Sequence, residues 1–248
     1  MGQKVNPVAF RTGINEDWKS RWYANKREFA NLLVEDKQIR DFIKTRKITG
    51  GDVRRRDQKD QIGRPYYPAI AKIEIERTRD EVRVILFSAR PGQLIGRDGE
   101  RVAELQNALQ KITGRRINLK IEEVTRPEIV AQLIAEDIGD QLVKRASFRR
   151  TMKRAIETTM EAGAKGIKIQ LSGRLGGAEM ARCEKQIAGS IPLSTLRTKI
   201  DYGFVEAKIA QGHIGIQVWV NQGEYSDEST DITAAPKPAR TGKRVYRK

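Results

Sequence analysis

Cysteine and histidine are nearly missing from these 248 residues: there is one of each, Cys183 and His213. Such a chain cannot close a disulfide within itself or build a His/Cys metal centre. It cannot form a Ser-His or Cys-His pair that bypasses His213, and Cys183 has no basic-plus-His surroundings of the kind a nucleophile needs. A lone cysteine also fits a reducing, cytoplasmic compartment. Long apolar runs are lacking too. The longest stretch free of Asp, Glu, Lys and Arg, from Ile209 to Gly223, still contains Gln, Asn and His. A membrane-spanning helix needs about 20 mostly apolar residues, so no membrane partner is expected. The first residues lack the apolar core of a signal sequence. Asn6 stands where a myristoylation pattern requires Ser or Thr. There is no G-x-x-x-x-G-K-[ST] phosphate loop to support nucleotide hydrolysis. Glu122 and Glu123, adjacent on a strand, point to opposite faces and cannot share acid/base work. No enzymatic activity and no cofactor are expected. Acidic charge is also in deficit: 32 Asp plus Glu face 48 Lys plus Arg, a net charge of +16. That excess suits an anionic partner.

No period of 20 to 50 residues repeats, which argues against a solenoid. The arm from Met1 to Ile14 has little periodicity and is expected to be extended. Trp18, Trp22 and Tyr23 follow, and aromatics so spaced point to packing more than to base stacking. Phe29, Leu32 and Leu33 begin a helical face; a second helical segment, Asp36 to Thr45, places Ile39, Phe42 and Ile43 on one side and stops at Gly50-Gly51. From Gly50 to Tyr67 the chain is polar and basic, with Arg54, Arg55, Arg56, Lys59 and Arg64, and reads as an exposed loop, either touching RNA or solvated. Ile73 and Ile75, then Val82, Val84 and Leu86, alternate as a hairpin turning at Thr78-Arg79-Asp80. A helix with Val102, Leu105, Leu109 and Ile112 on one face follows, ended by Gly114, and then a strand with Ile117, Leu119 and Ile121.

Thr125-Arg126-Pro127-Glu128 has the form of a capping box that opens a helix bearing Ile129, Leu133, Ile134, Ile138, Leu142 and Val143. A domain boundary is placed there. Residues 1–125 form an N-terminal unit, 126–223 a C-terminal unit, and 224–248 a polar, Pro-containing tail expected to be disordered. The second unit continues with a helix over Phe148 to Glu161, a strand carrying Ile167, Ile169 and Leu171, an ambiguous stretch from Ala178 to Gly189, and two strands paired around Gln211-Gly212.

Three segments carry the binding chemistry. Gly96-Arg97-Asp98-Gly99 is a G-x-x-G loop, in which two glycines let backbone approach a phosphate beside the positive end of the next helix. Ile95 is expected to anchor it in the core. The order helix, strand, strand, G-x-x-G, helix, strand is that of a type II KH domain, an RNA-binding module. Asp98 works against a grip on phosphate and Arg97 partly offsets it. Second, Lys144, Arg145, Arg149, Arg150, Lys153 and Arg154 fall between Asp140 and Glu157 with no acidic residue among them. Phe148, Met152, Ala155 and Ile156 lie opposite and would hold that helix on a core. A solvated face usually mixes signs; this one carries unrelieved repulsion that a polyanion would remove. Third, Gly173-Arg174-Leu175-Gly176-Gly177 is either a phosphate-approaching loop with Arg174 as clamp or a bend that needs positive φ.

Several longer strings resemble one family. Met1-Gly2-Gln3-Lys4-Val5-Asn6-Pro7, Ala89-Arg90-Pro91-Gly92, Phe148-Arg149-Arg150-Thr151-Met152-Lys153-Arg154-Ala155, Gly163-Ala164-Lys165-Gly166-Ile167-Lys168, Ser172 through Glu179 and Pro192-Leu193-Ser194-Thr195-Leu196-Arg197 are similar to bacterial small-subunit ribosomal protein number three. The resemblance runs from Met1 to about Glu224. It implies an α+β fold, a type II KH domain followed by a two-layer α/β domain with two helices on a four-stranded sheet, in which Ala178 to Gly189 is a strand. It implies a place on the head of the small subunit, bound to ribosomal RNA near the messenger RNA entry channel. There Arg149, Arg150 and Lys153 would line the entrance and help melt messenger structure. Lys4 and Arg174 join the RNA-binding set. Neighbouring small-subunit proteins numbers ten, fourteen, four and five are the implied protein partners. The sequence departs from the family in the loop Gly50 to Tyr67 and at Asp98. The alternative is a free-standing KH regulator or RNA chaperone.

Overall fold

The computed structural model describes residues 3–45, 69–78, 81–96 and 99–225. The Gly50-Gly51 stop, the basic loop 50–67, Arg79 and Asp80 of the first turn, Arg97, Asp98 and the tail beyond Tyr225 lie outside the described residues.

The arm departs from expectation at once. Asn6 Oδ1 accepts a hydrogen bond from the Val8 N–H at 2.9 Å and Pro7 sits in the first turn. Cap and pre-set φ together nucleate a short helix, α1 (Pro7–Arg11), where an extended chain was expected. Arg11 is fully buried; its guanidinium donates to the carbonyls of Pro7, Leu193, Thr195 and Thr198 at 2.9–3.2 Å. Asn15 Nδ2 donates to the Leu196 carbonyl at 2.6 Å, and the Tyr225 hydroxyl to Glu16 at 3.2 Å. Residues assigned by sequence to the first unit thus bond to the second through Arg11 and Asn15, and Glu16 bonds to Tyr225, which with Glu224 at the end of the last strand was expected to lie in the disordered tail.

Next come β1 (Ser20–Arg21), too short to show in any apolar pattern, and α2 (Lys26–Thr45). Two helical segments were expected here; there is one helix, because neither Gly nor Pro interrupts Lys26 to Thr45. β2 (Ile70–Arg77) and β3 (Glu81–Ser88) pair antiparallel, α3 (Pro91–Ile95) and α4 (Glu100–Thr113) cross over, and β4 (Arg116–Glu123) returns parallel to β3. The sheet order is β1-β2-β3-β4. Ile39 and Ile43 of α2 and Leu105 and Leu109 of α4 share one core with Ile73, Ile75, Val82, Val84, Leu86 and Ile117. Ile112, expected on that face of α4, is exposed. Trp22 tilts against Phe29 and its indole N–H donates to Asp36, but Trp18 and Tyr23 are not core residues: Tyr23 is 94% exposed.

The capping box at Thr125 to Glu128 does not form. Pro127–Ile129 is a single 3₁₀ turn, and α5 (Ala131–Val143) begins after Val130. Its cap comes from far along the chain, since the Ala131 N–H donates to Asp201 Oδ2 at 2.8 Å. α6 (Phe148–Glu161) follows, then β5 (Gly166–Gly173), β6 (Arg182–Gly189), β7 (Thr198–Ile209) and β8 (Gly212–Glu224), in the antiparallel order β6-β5-β8-β7. The stretch left ambiguous by pattern is strand from Arg182 onward. α5 and α6 bury Ile134, Ile138, Leu142 and Met152 on Ile167, Ile169, Leu171, Ile216 and Val218. Gly203 of β7 lies directly under the start of α5, where a Cβ would collide with Ala131 and Gln132 backbone.

Candidate nucleic-acid interface

Two neighbouring pieces of backbone set the strongest cluster of charge. α5 ends in a Schellman turn: the Arg145 N–H donates to the Leu142 carbonyl and the Ala146 N–H to that of Gln141, both at 3.0 Å. The left-handed position in that turn normally belongs to glycine, yet here Arg145 holds it at φ 62°. α6 then starts at Phe148 behind Ser147, with no side chain capping it and no acidic residue in its first turn.

Thr151, Met152 and Thr159 of α6 are buried, and Phe148, Ala155 and Ile156 pack against the core, as its apolar spacing predicts. This seating leaves Arg149, Arg150, Lys153 and Arg154 exposed on the other side, with Lys144 and Arg145 exposed in the preceding turn. Among the described residues none of the six makes an ion pair. Arg149 lies 5.6 Å from the Phe148 ring centre, and Arg182 of β6 lies 5.5 Å from the same ring. Arg182 was not foreseen because its strand shows little apolar alternation.

The arrangement is electrostatically unfavourable in isolation. Arg150 with Lys153 and Arg154, and Arg149 with Lys153, stand at like-charge helical spacing, about 0.2–0.5 kcal/mol per pair. Arg149 and Arg150 also occupy the first turn, where the helix dipole is already positive. A phosphate placed there reverses both effects. At Arg145 the left-handed backbone adds about 1–2 kcal/mol of strain. Arg145→Gly is therefore expected to raise stability by about 1 kcal/mol in urea denaturation; an unchanged or lowered midpoint would contradict this account of the turn.

The other sequence candidates are distributed elsewhere. Gly96 has φ 73°, and Gly99 caps α4 at φ 80°. A Cβ on Gly96 would press on the Arg101 side chain. Arg97, between them, lies outside the described residues. The anchor before the loop is Leu94 rather than Ile95, which is 42% exposed: the unforeseen helix α3 turns Ile95 outward. Arg174 donates through Nε to the Ala178 carbonyl at 2.8 Å and through Nη1 to that of Gln211 at 3.2 Å. With Gly173, Gly176 and Gly177 all at positive φ, the glycine-rich turn is the bend its sequence allowed, and Arg174 ties it to the β7–β8 hairpin. Lys4 is not beside the α6 cations. Its charge reaches Lys168, which alternates with core residues Ile167 and Ile169 and so faces away from the helices. Burial, then Lys4 and Lys185, push the Lys168 ammonium below the ordinary lysine range, and its Nζ stands 4.5 Å from the Trp219 ring centre.

Among the described residues there is no cluster of His, Cys, Asp or Glu able to hold a metal, and no helix long and apolar enough to cross a membrane. Two family models match: a KH domain over residues 63–129, and the ribosomal protein S3 C-terminal domain over residues 138–220. Full-length relatives are similar throughout. The small ribosomal subunit protein uS3 of Rhodopirellula baltica is 61% identical over 98% of this chain and 100% of its own. Those of Desulforudis audaxviator and Campylobacter lari are 46% and 45% identical, over 92% and 98% of this chain and 96% and 99% of theirs. With both units matched in order and the likeness running nearly end to end, this chain belongs to the uS3 family of small ribosomal subunit proteins.

Proposed function

We propose that this protein is built into the head of the small ribosomal subunit, bound to ribosomal RNA, and that the cationic face of α6 holds messenger RNA at the entry channel and assists in opening its secondary structure. The observation that carries this reading is the set of six exposed cations, Lys144, Arg145, Arg149, Arg150, Lys153 and Arg154, without a carboxylate partner among the described residues, in and just before the first two turns of a helix whose positive end is uncapped. Single-stranded RNA supplies closely spaced phosphates that match such a row. The rigid seating of α6 on Met152 and Thr151 keeps the charges from collapsing onto the protein. The face acts as a passive electrostatic guide: phosphates held on it are strands kept apart, while the force comes from movement of the messenger.

Gly96 and Gly99, both at positive φ, give the KH loop the backbone freedom to meet a ribosomal RNA phosphate, and Arg97, next to Gly96 in sequence, is assigned to the same contact. Lys4, whose charge reaches Lys168 on the face away from the helices, and Arg174, in the glycine-rich turn whose Gly176 faces Phe148, serve ribosomal RNA. Neighbouring proteins ten and fourteen on one side, and four and five around the entry, complete the proposed surroundings.

Changing Arg149, Arg150 and Lys153 together to Ala tests the central point. The variant is expected to enter small-subunit fractions of a sucrose gradient but to translate messages with stable hairpins more slowly than unstructured ones. In purified form its log–log salt slope for single-stranded RNA drops by about 2, three phosphate contacts at about 0.7 each. Equal translation rates on both messages would remove the entry-channel role. Recovery of wild-type protein mainly in light fractions would favour a free-standing KH regulator.

A further inference from the structure

A second concentration of cations lies away from α6. Lys19, Arg40, Lys44 and Lys72 line a cleft of about 90 Å³ where α2 and β2 meet Gln132 in the first turn of α5. Among the described residues no carboxylate lines it. Arg40 is held in place by its backbone acceptors: Nη1 donates to the Ile73 carbonyl at 2.7 Å, and Nη2 to the Lys19 carbonyl and Ser20 Oγ at 3.0 and 2.8 Å. Three of the five guanidinium donors therefore serve to fix its plane rather than to cancel its charge.

The nearby carboxylates each have other partners, though Glu74 also pairs with a cation of the cleft. Glu74 sits 2.6 Å from Lys72 but also 2.9 Å from Arg21. Asp36 is taken by Arg77, Ser20 and Trp22. Asp201 caps Ala131, and Glu136 accepts from Gln132 at 2.9 Å. Burial pushes the Lys19 ammonium below the ordinary lysine range. Asp201 draws it back up, while Lys72, Arg40 and Lys44 push it down again. Four cations thus converge on an opening, Arg40 fixed by its backbone acceptors and Lys72 paired with Glu74, while Lys19, Arg40 and Lys44 meet only carboxylates that already hold other partners.

We propose that this cleft is a phosphate-binding site, taking one tetrahedral oxyanion between Lys19, Arg40, Lys44 and Lys72. Such an anion accepts hydrogen bonds from several directions at once, which suits three ammonium groups around a fixed guanidinium. Because Gln132 belongs to the second unit and the cations to the first, a bound phosphate also sits at the junction of the two. The phosphate is either a backbone group of RNA or a free ion.

The experiment uses the full chain, with inorganic phosphate and a short oligouridylate as probes. Phosphate at a hundredfold excess over its Kd is expected to raise Tm by about 5 °C relative to chloride at equal ionic strength. NMR titration should show the Lys19 midpoint moving up toward the ordinary lysine value when phosphate is added. Lys44→Gln, at an exposed position, should weaken phosphate binding about tenfold, and Lys19→Gln likewise. If the oligouridylate loses affinity in both variants and competes with phosphate, the site takes an RNA phosphate. If only phosphate binding changes, it takes the free ion. Phosphate binding of equal strength in wild type and both variants, with no movement of Lys19, would place the anion elsewhere and overturn the proposal.

Discussion

In an Arg11→Met variant, amide hydrogen exchange at Phe10 and Thr12 is expected to accelerate by roughly a hundredfold, a loss of about 3 kcal/mol in the docking of α1. Both amides belong to the helix, donating to the Asn6 and Val8 carbonyls at 3.0 Å. Burying a guanidinium costs several kcal/mol, so its partners decide the sign. Every acceptor shown for Arg11 is a main-chain carbonyl, and three of the four, at Leu193, Thr195 and Thr198, come from the far unit. Hydrogen bonds to a charged group contribute about 1.5–3 kcal/mol each, so together they exceed the desolvation penalty. Met fills the space and satisfies none of the carbonyls. Arg11→Lys is expected to fall between the two, because one ammonium cannot reproduce the planar fork. Wild-type exchange rates in Arg11→Met would show that α1 is held by Pro7 packing alone.

The second large effect is expected at Arg77. Its guanidinium is paired with Asp36 and, at 2.6 Å, with Glu35; the side chains of Arg77 and Asp36 are 3% and 4% exposed. Asp36 also accepts from Ser20 Oγ at 3.0 Å and from the Trp22 indole N–H at 2.8 Å. One aspartate thereby joins α2, the end of β2 and the segment around β1. Arg77→Met strands a buried carboxylate and should lower global stability by about 3–5 kcal/mol in urea denaturation, a large share of the roughly 5–15 kcal/mol typical of a folded domain. Adding Asp36→Leu to Arg77→Met should cost less than the sum of the two single changes, since the double variant strands only the partly exposed Glu35 and not the buried Asp36. Strict additivity would mean that the pair is not coupled.

These two anchors show where sequence reading stops. The apolar face of α6, the β2–β3 hairpin and the β7–β8 pair were legible because local periodicity and burial coincide in them: Met152 and the alternating Ile214, Ile216, Val218 and Val220 are all buried. The cationic row was legible for the same reason, being the complement of that face. Arg11 and Asp36 look like ordinary surface charges in a linear reading, because their partners lie 182–187 and 14–41 residues away. The cap of α5 failed to appear locally for a related reason: Asp201 supplies it from β7. β6 was visible only through family resemblance. It is an edge strand, and none of its residues is buried, Ile187 being exposed. The cleft around Lys19, Arg40, Lys44 and Lys72 was missed altogether, since its four cations come from three separate stretches of chain.

The distance between Arg11 and its carbonyl acceptors has a consequence for biosynthesis. Thr198 follows Arg11 by 187 positions, so at about 5–20 residues per second the acceptors are made on the order of 10–40 s after the arginine. Throughout that interval α1 lacks these acceptors, and the growing chain carries a guanidinium without them. Closure of the arm is therefore a late event, possible only once β7 has begun to emerge.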